Sequence, residues 1–146
     1  MIMEITYNLR RIETQQFAIF PEKLMANNSV KVNVTFTFQV QPVQNLIRCD
    51  TNLTYEQEGQ TVLILALSCI FELNRESFDT FKKKEEIVIP VDFLRHVGSI
   101  IVGTARGIIH AKTEGTSLNG IILPPINLME MMKSDFVAPL KQKEEI

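Results

Sequence analysis

The first half of the chain alternates between apolar and polar residues. Between residues 30 and 41, every even-numbered position is apolar and every odd-numbered position is polar. This period of two predicts a strand with one buried and one solvated face. The same alternation predicts a first strand over residues 5–20, with a bulge near Arg10, and a third strand around residues 47–55.

A fourth strand is predicted over residues 61–73, after a turn at Glu58 and Gly59. Its odd-numbered positions are apolar from Leu63 to Leu73, but Val62, Ile64 and Ile70 make much of the opposite face apolar as well. A strand that is apolar on both faces needs cover on both faces. We therefore expect a helix on one side of the sheet and a loop or a second copy of the chain on the other.

One long helix follows Pro90, which suits a first helical turn. Apolar residues then recur at spacings of three and four until Gly115. Residues 74–89 are charged and irregular and are predicted to form a crossover loop, and residues 127–134 a short helix capped by Asn127. The predicted fold class is α+β: a four-stranded antiparallel sheet, a crossover loop, one long helix and a short C-terminal helix. Residues 1–146 are expected to form a single domain, with a loosely ordered tail at 135–146.

The long helix also carries a line of small residues spaced by four, namely Ser99, Gly103, Gly107 and Ala111. Residues four apart share one face of a helix. Each interior glycine costs about 1 kcal/mol relative to alanine, so helix propensity does not explain this line. We call it the small-residue ridge. It favours close contact with the helix of a second subunit, although packing against the chain's own sheet is the alternative.

Composition and charge narrow the classes of function. The 146 residues are 45% hydrophobic and 22% charged, which suits one compact domain. The formal net charge of -2 creates no basic field, so nucleic acid is not an expected partner. The N-terminus lacks the apolar region of a signal peptide. The most hydrophobic run, residues 62–71, spans about ten residues, whereas a helix needs roughly 20 to cross a bilayer. We therefore expect a cytoplasmic protein without membrane insertion.

Candidate chemistry is sparse. Cys49 and Cys69 have no metal-binding spacing and are expected to be reduced and buried. His96 and His110 fall on one helix face but about 21 Å apart along the axis, so they cannot share a site. No phosphate-binding or dinucleotide motif occurs, and we expect neither a cofactor nor a metal. A small enzyme in which a cysteine meets a histidine stays open as a third hypothesis.

The methionines near the C-terminus suggest a gripping surface. Met129, Met131 and Met132 would cover more than one face of a short helix. Methionine adapts to varied apolar partners, so this helix could bind other chains together with Phe78 and Phe81 of the crossover loop. Filling of the protein's own core is the alternative.

Three stretches carry a family resemblance: "LRRIETQQFAIF" at residues 9–20, "VKVNV" at 30–34, and the Ala105-Arg106 pair that leads through Gly115-Thr116 to "IILPPINL" at 121–128. Together they resemble the family of the export chaperone SecB. The resemblance implies first strands that pair across a dimer, and long helices that join two dimers into a tetramer. It also implies that unfolded polypeptides bind in apolar grooves, with no bond made or broken. The family docks the motor SecA through acidic residues on the first strand, whereas the corresponding stretch here, residues 15–20, contains none, so that partner stays open.

The leading hypothesis is therefore a SecB-like, ATP-independent chaperone or peptide-binding module for unfolded or apolar polypeptides, with protein export as one use. A dedicated adaptor that guards one partner, such as an antitoxin, is the alternative. The oligomer could be a dimer or a dimer of dimers, joined through the small-residue ridge. The expected client-binding residues are Phe78, Phe81, Leu118, Leu128, Met129 and Met132.

Overall fold

The computed structural model describes residues 4–140. Its strands and helices, in chain order, are β1 (Tyr7–Ile19), β2 (Lys31–Gln41), β3 (Leu46–Gln57), β4 (Gln60–Leu73), α1 (Arg75–Asp79), β5 (Glu86–Ile89), α2 (Val91–Lys112), α3 (Leu128–Met131) and β6 (Phe136–Pro139). Single 3-10 turns occupy Pro21–Lys23, Pro42–Gln44 and Ser117–Gly120.

The main sheet has four antiparallel strands in the order β1-β4-β3-β2, so β1 and β2 are its edges. This confirms the predicted fold class. The predicted bulge also occurs, as a register shift between Leu9 and Arg11, and β1 shifts again between Thr14 and Gln16. Strands β2 and β3, in contrast, pair from end to end without a shift.

The β3–β4 hairpin turns where the sequence predicts it. Glu58 and Gly59 both have positive φ angles, of 51° and 76°. Two consecutive left-handed residues match the twist of the flanking strands and close the hairpin tightly. Glycine is the residue that adopts this conformation most easily, which accounts for Gly59.

The core lies between this sheet and α2. The odd-numbered side chains of β4 are buried along the strand, and the apolar side of α2 packs on them through residues such as Val97 and Ile101. The opposite face of β4 is covered less completely, as the half-buried side chain of Ile64 shows. An ion pair between Arg48 Nε and Asp50 Oδ1, at 2.9 Å, lies on that second face. No helix among residues 4–140 has the length and apolar content to cross a membrane.

The segment predicted as a crossover loop contains two regular elements. Asn74 accepts a hydrogen bond from the backbone N–H of Ser77 at 2.8 Å and so caps α1. Strand β5 pairs with β6 in a second, two-stranded sheet. The expectation of a loosely ordered tail from residue 135 is thus corrected for β6, because Ala138 is buried and the strand is hydrogen-bonded along β5. Residues 141–146 of that predicted tail lie outside the described residues.

Candidate functional site

A groove with a cavity volume of about 380 Å³ opens between β2 and the chain that follows α3. One wall consists of residues 34–36 and Phe38 of β2, and the other of residues 131–136. Leu94 of α2 also contributes to the lining. The groove is therefore largely apolar, with Lys133 and Asp135 as its charged residues.

The position of β2 at the sheet edge explains why this wall is accessible. Its even-numbered side chains point toward the core side, yet Val34, Phe36 and Phe38 remain only half-buried. Part of the cover comes from β6, where the ring of Phe136 lies 6.2 Å from that of Phe38. The strand thus presents aromatic surface that residues 4–140 cover only in part.

The second wall is held against α2 by one arginine and one glycine. Arg95 donates from Nε to the carbonyl oxygen of Met132 at 3.0 Å, and from Nη2 to that of Met129 at 3.5 Å. A Cβ on Gly98 would lie 2.9 Å from the Cε atom of Met132 and 3.3 Å from Leu128 Cδ1. Gly98 therefore lies directly under the ends of the Met132 and Leu128 side chains, and an added methyl group would require Met132 to shift.

The Pro-Pro connection is held in the same way, farther along α2. Arg106 donates from Nε to the carbonyl oxygen of Leu123 at 2.7 Å and from Nη2 to that of Pro124 at 3.1 Å. Arg95 and Arg106 are separated by about three helical turns. Together they fix the backbone of residues 123–132 along the helix.

Four of the six predicted client-binding residues belong to the core. Phe78 and Leu118 are fully buried, and Phe81 and Met132 are 2% and 6% exposed. Phe81 packs its ring 6.3 Å from Phe78 and 5.6 Å from Phe93. The expectation that these four side chains form an accessible gripping surface is therefore corrected. All four are part of the hydrophobic core.

The remaining two predicted residues lie nearer the surface. Met129 is 64% exposed, and Leu128 is half-buried. Of the six, Met132 is the one that lines the groove, beside Met131, which is 41% exposed. Four of the lining residues belong to β2, and none of these four was among the predicted client-binding residues. The alternation of β2 shows its aromatic face, but not its place at the edge.

The small-residue ridge faces outward. Ser99, Gly103, Gly107 and Ala111 are all exposed. A Cβ added at Gly103 or Gly107 would meet nothing within 4 Å. Packing of the ridge against the chain's own sheet, the alternative considered above, is therefore excluded.

The two cysteines are free, buried and opposite each other on β3 and β4. Burial raises the pKa of the Cys49 thiol to about 12 and that of the Cys69 thiol to about 11. At neutral pH both therefore remain protonated and are poor nucleophiles. His96 instead contacts Tyr7, with 2.6 Å between its Nε2 and the phenol oxygen. This arrangement does not favour the cysteine–histidine enzyme.

The raised thiol pKa values predict a loss of stability at alkaline pH. Unfolded thiols ionise near their ordinary value of 9.0, whereas the folded chain keeps both protonated to about 11 or 12. Stability from this source is complete below pH 9 and falls above it, by about 1.4 kcal/mol per pH unit for each thiol. Urea unfolding at pH 8 to 10.5 measures this, and Cys49→Ala should show a shallower slope than the unaltered chain. Equal slopes would contradict it.

No protein-family model and no curated protein matches this sequence. A solved structure similar to the chain is that of a SecB-like chaperone from Mycobacterium tuberculosis, in complex with a ChAD peptide from the HigA1 antitoxin. The two share 12% sequence identity with a TM-score of 0.49, over 83% of this chain and 91% of that one. A likeness at this level does not by itself establish a common family or a common activity.

Proposed function

We propose that this protein is a SecB-like, ATP-independent chaperone or peptide-binding module that holds unfolded or apolar polypeptide segments in the cytoplasm. The observation that carries the proposal is the apolar groove beside β2. Phe36 and Phe38 are half-buried along one wall, and Met131 is 41% exposed on the other. Concave sites lined by aromatic side chains with few polar groups are typical of binding sites for apolar ligands.

The chemistry of the lining suits partners of varied sequence. Methionine is unbranched and polarizable and fills irregular apolar gaps, while the aromatic rings of β2 supply large contact areas. Binding of this kind releases water from apolar surface on both partners and needs no bond to be made or broken. Export would be one use of such binding.

Self-association is a further part of the proposal. The exposed small-residue ridge would let the α2 helix of a second subunit approach closely, in a dimer or a dimer of dimers. Ile12 of β1 adds to the exposed apolar surface, with 48% of its area accessible. Small residues permit close backbone approach, an effect best documented between helices in membranes.

A dedicated adaptor is the second candidate. The groove volume of about 380 Å³ is small, which favours a short, defined segment over a long stretch of unfolded chain. Such an adaptor would guard one partner, for example an antitoxin. Pull-down from cells separates the two candidates, because one dominant partner indicates an adaptor and a broad set of partners indicates a general chaperone.

The test of client binding is a charge placed in the groove. In an aggregation assay with a chemically unfolded client, Met131→Glu should protect at least about tenfold less well, since a carboxylate must be desolvated against apolar client surface. Met131 is the suitable position because its side chain is partly exposed, whereas a charge at the buried Met132 would disturb the core.

The matched control is Val43→Glu. Val43 is 86% exposed in the turn after β2 and does not line the groove. This variant should protect as well as the unaltered protein. Equal protection by Met131→Glu would contradict the assignment of the groove as the client site.

A further inference from the structure

The two edges of the main sheet differ in how open they are to a new strand. Strand β1 is interrupted by two register shifts, and it carries Arg10, Arg11 and Glu13. Bulges and charges of this kind protect edge strands against pairing. Strand β2 has no register shift, no proline and a single charged residue, Lys31. Within residues 4–140 its only strand partner is β3, so β2 is the unprotected edge.

The groove reaches this edge. Its lining includes Val34, Thr35 and Phe36, which are consecutive residues of one strand. Successive side chains of a strand point to opposite faces. The groove therefore runs along β2, and on the side of β2 away from β3 no strand of residues 4–140 pairs with its backbone.

The two charged residues that line the groove, Lys133 and Asp135, differ in the contacts they make. Asp135 accepts a hydrogen bond from the backbone N–H of Val91 at 2.9 Å, at the start of α2. Lys133 is exposed and makes no salt bridge with another residue of the described range 4–140. Asp135 is exposed as well, so of the two charged lining residues Lys133 is the one whose side chain has no ion-pair or hydrogen-bond partner within that range.

From these observations we propose that the groove binds an extended segment of a partner polypeptide as a fifth strand on β2. The segment has apolar residues at every second position and an acidic side chain that reaches Lys133. Its backbone hydrogen-bonds to the open edge, and its apolar side chains enter the groove beside Phe36 and Phe38. This inference rests on the proposed function and names the kind of segment that the groove accepts.

A foreign segment fits better than a second copy of β2. The β2 sequence, "KVNVTFTFQVQ", contains no acidic residue, so a second β2 would leave Lys133 without a counter-charge. The other edge strand, β1, does contain an acidic residue, Glu13. Its two register shifts, however, would interrupt continuous pairing with β2 of a second copy.

The test uses labelled peptides of about eight residues, with valine alternating with threonine and aspartate at one end. Binding to the unaltered protein and to Lys133→Glu is followed by fluorescence anisotropy. The aspartate peptide should bind Lys133→Glu about three- to fivefold more weakly, as expected for loss of an exposed ion pair. A peptide with lysine in place of aspartate should bind Lys133→Glu better than it binds the unaltered protein. If Lys133→Glu changes the affinity for neither peptide, the proposed contact between Lys133 and an acidic side chain is overturned.

Backbone pairing is tested separately. Methylation of the peptide nitrogens that face β2 should weaken binding more than about tenfold, while methylation of the alternate nitrogens should have little effect. Hydrogen exchange within Lys31–Gln41 should slow when the unmodified peptide binds. Equal effects of both methylation patterns, or binding without protection of β2, would overturn strand addition.

The outcomes also separate this inference from the proposed function. If unfolded clients bind, but neither the alternation of the peptide sequence nor the methylation of its nitrogens affects peptide affinity, strand addition fails and the chaperone proposal stands. If neither clients nor peptides bind, the proposed function itself fails. If β2 is already protected in the free protein in a concentration-dependent way, and sedimentation shows that the peptide separates subunits, a second copy is the natural occupant and the inference is overturned.

Discussion

Replacing Phe81 with alanine is expected to lower the free energy of unfolding by about 3–5 kcal/mol. The side chain is 2% exposed, and its ring packs against Phe78 and Phe93. Truncation loses the transfer energy of the ring and leaves a cavity between the sheet, α1 and α2, because surrounding side chains relax only partly. Urea unfolding followed by circular dichroism measures the loss.

The matched variant is Met129→Ala, also an apolar truncation among the predicted client-binding residues. Met129 is 64% exposed, so this change should alter the free energy of unfolding by no more than about 0.5 kcal/mol. If Phe81→Ala instead weakened client protection while leaving stability intact, Phe81 would be a binding residue after all, and its burial would have to be relieved when a client binds.

The double variant Gly103→Glu, Gly107→Glu is expected to convert the proposed assembly into single subunits. Both glycines lie on the exposed ridge, and neither new side chain would clash at Cβ within its own chain. Four carboxylates facing each other across a helix pair would repel and would prevent close backbone approach. Analytical ultracentrifugation of the unaltered protein and the double variant gives the mass of each.

The alanine variants Gly103→Ala and Gly107→Ala provide the control. In an isolated chain, each should raise helix stability by about 1 kcal/mol, since alanine has the higher propensity and its methyl group meets open space. At a close helix contact the same methyl group should weaken association. An unaltered protein that sediments as a single subunit at all concentrations would contradict the proposed assembly.

Much of the sheet and the long helix could be predicted from local pattern. The alternation over 30–41 corresponds to β2, the bulge near Arg10 is present, and α2 starts directly after Pro90. These features depend on periodicity and on turn chemistry, both of which are local properties of the chain. Short elements carried too few residues to show a period, which is why α1, β5 and β6 were not predicted.

The residues of the candidate site were harder to predict from the sequence, because the exposure of a side chain depends on how the elements pack in the folded chain. Phe78 and Phe81 stand among acidic residues, which suggested an exposed loop, yet Phe78 of α1 and Phe81 of the turn after it are both buried. Neighbouring Met131 and Met132 differ in exposure because Met132 packs at Gly98. The accessible face of β2 follows from strand order, which no local pattern of apolar residues encodes.

The connection along α2 is fastened through main-chain carbonyl groups, at Leu123 and Pro124 by Arg106 and at Met129 and Met132 by Arg95. Every amino acid has such a carbonyl, so these bonds do not require particular side chains at the fastened positions. Exposed residues on or next to the fastened segment 123–132, such as Met129 and Ile122, could therefore be exchanged for other types while the path of the segment is retained. In this segment the polarity of the exposed surface can therefore change, in evolution or by design, without a change in the backbone.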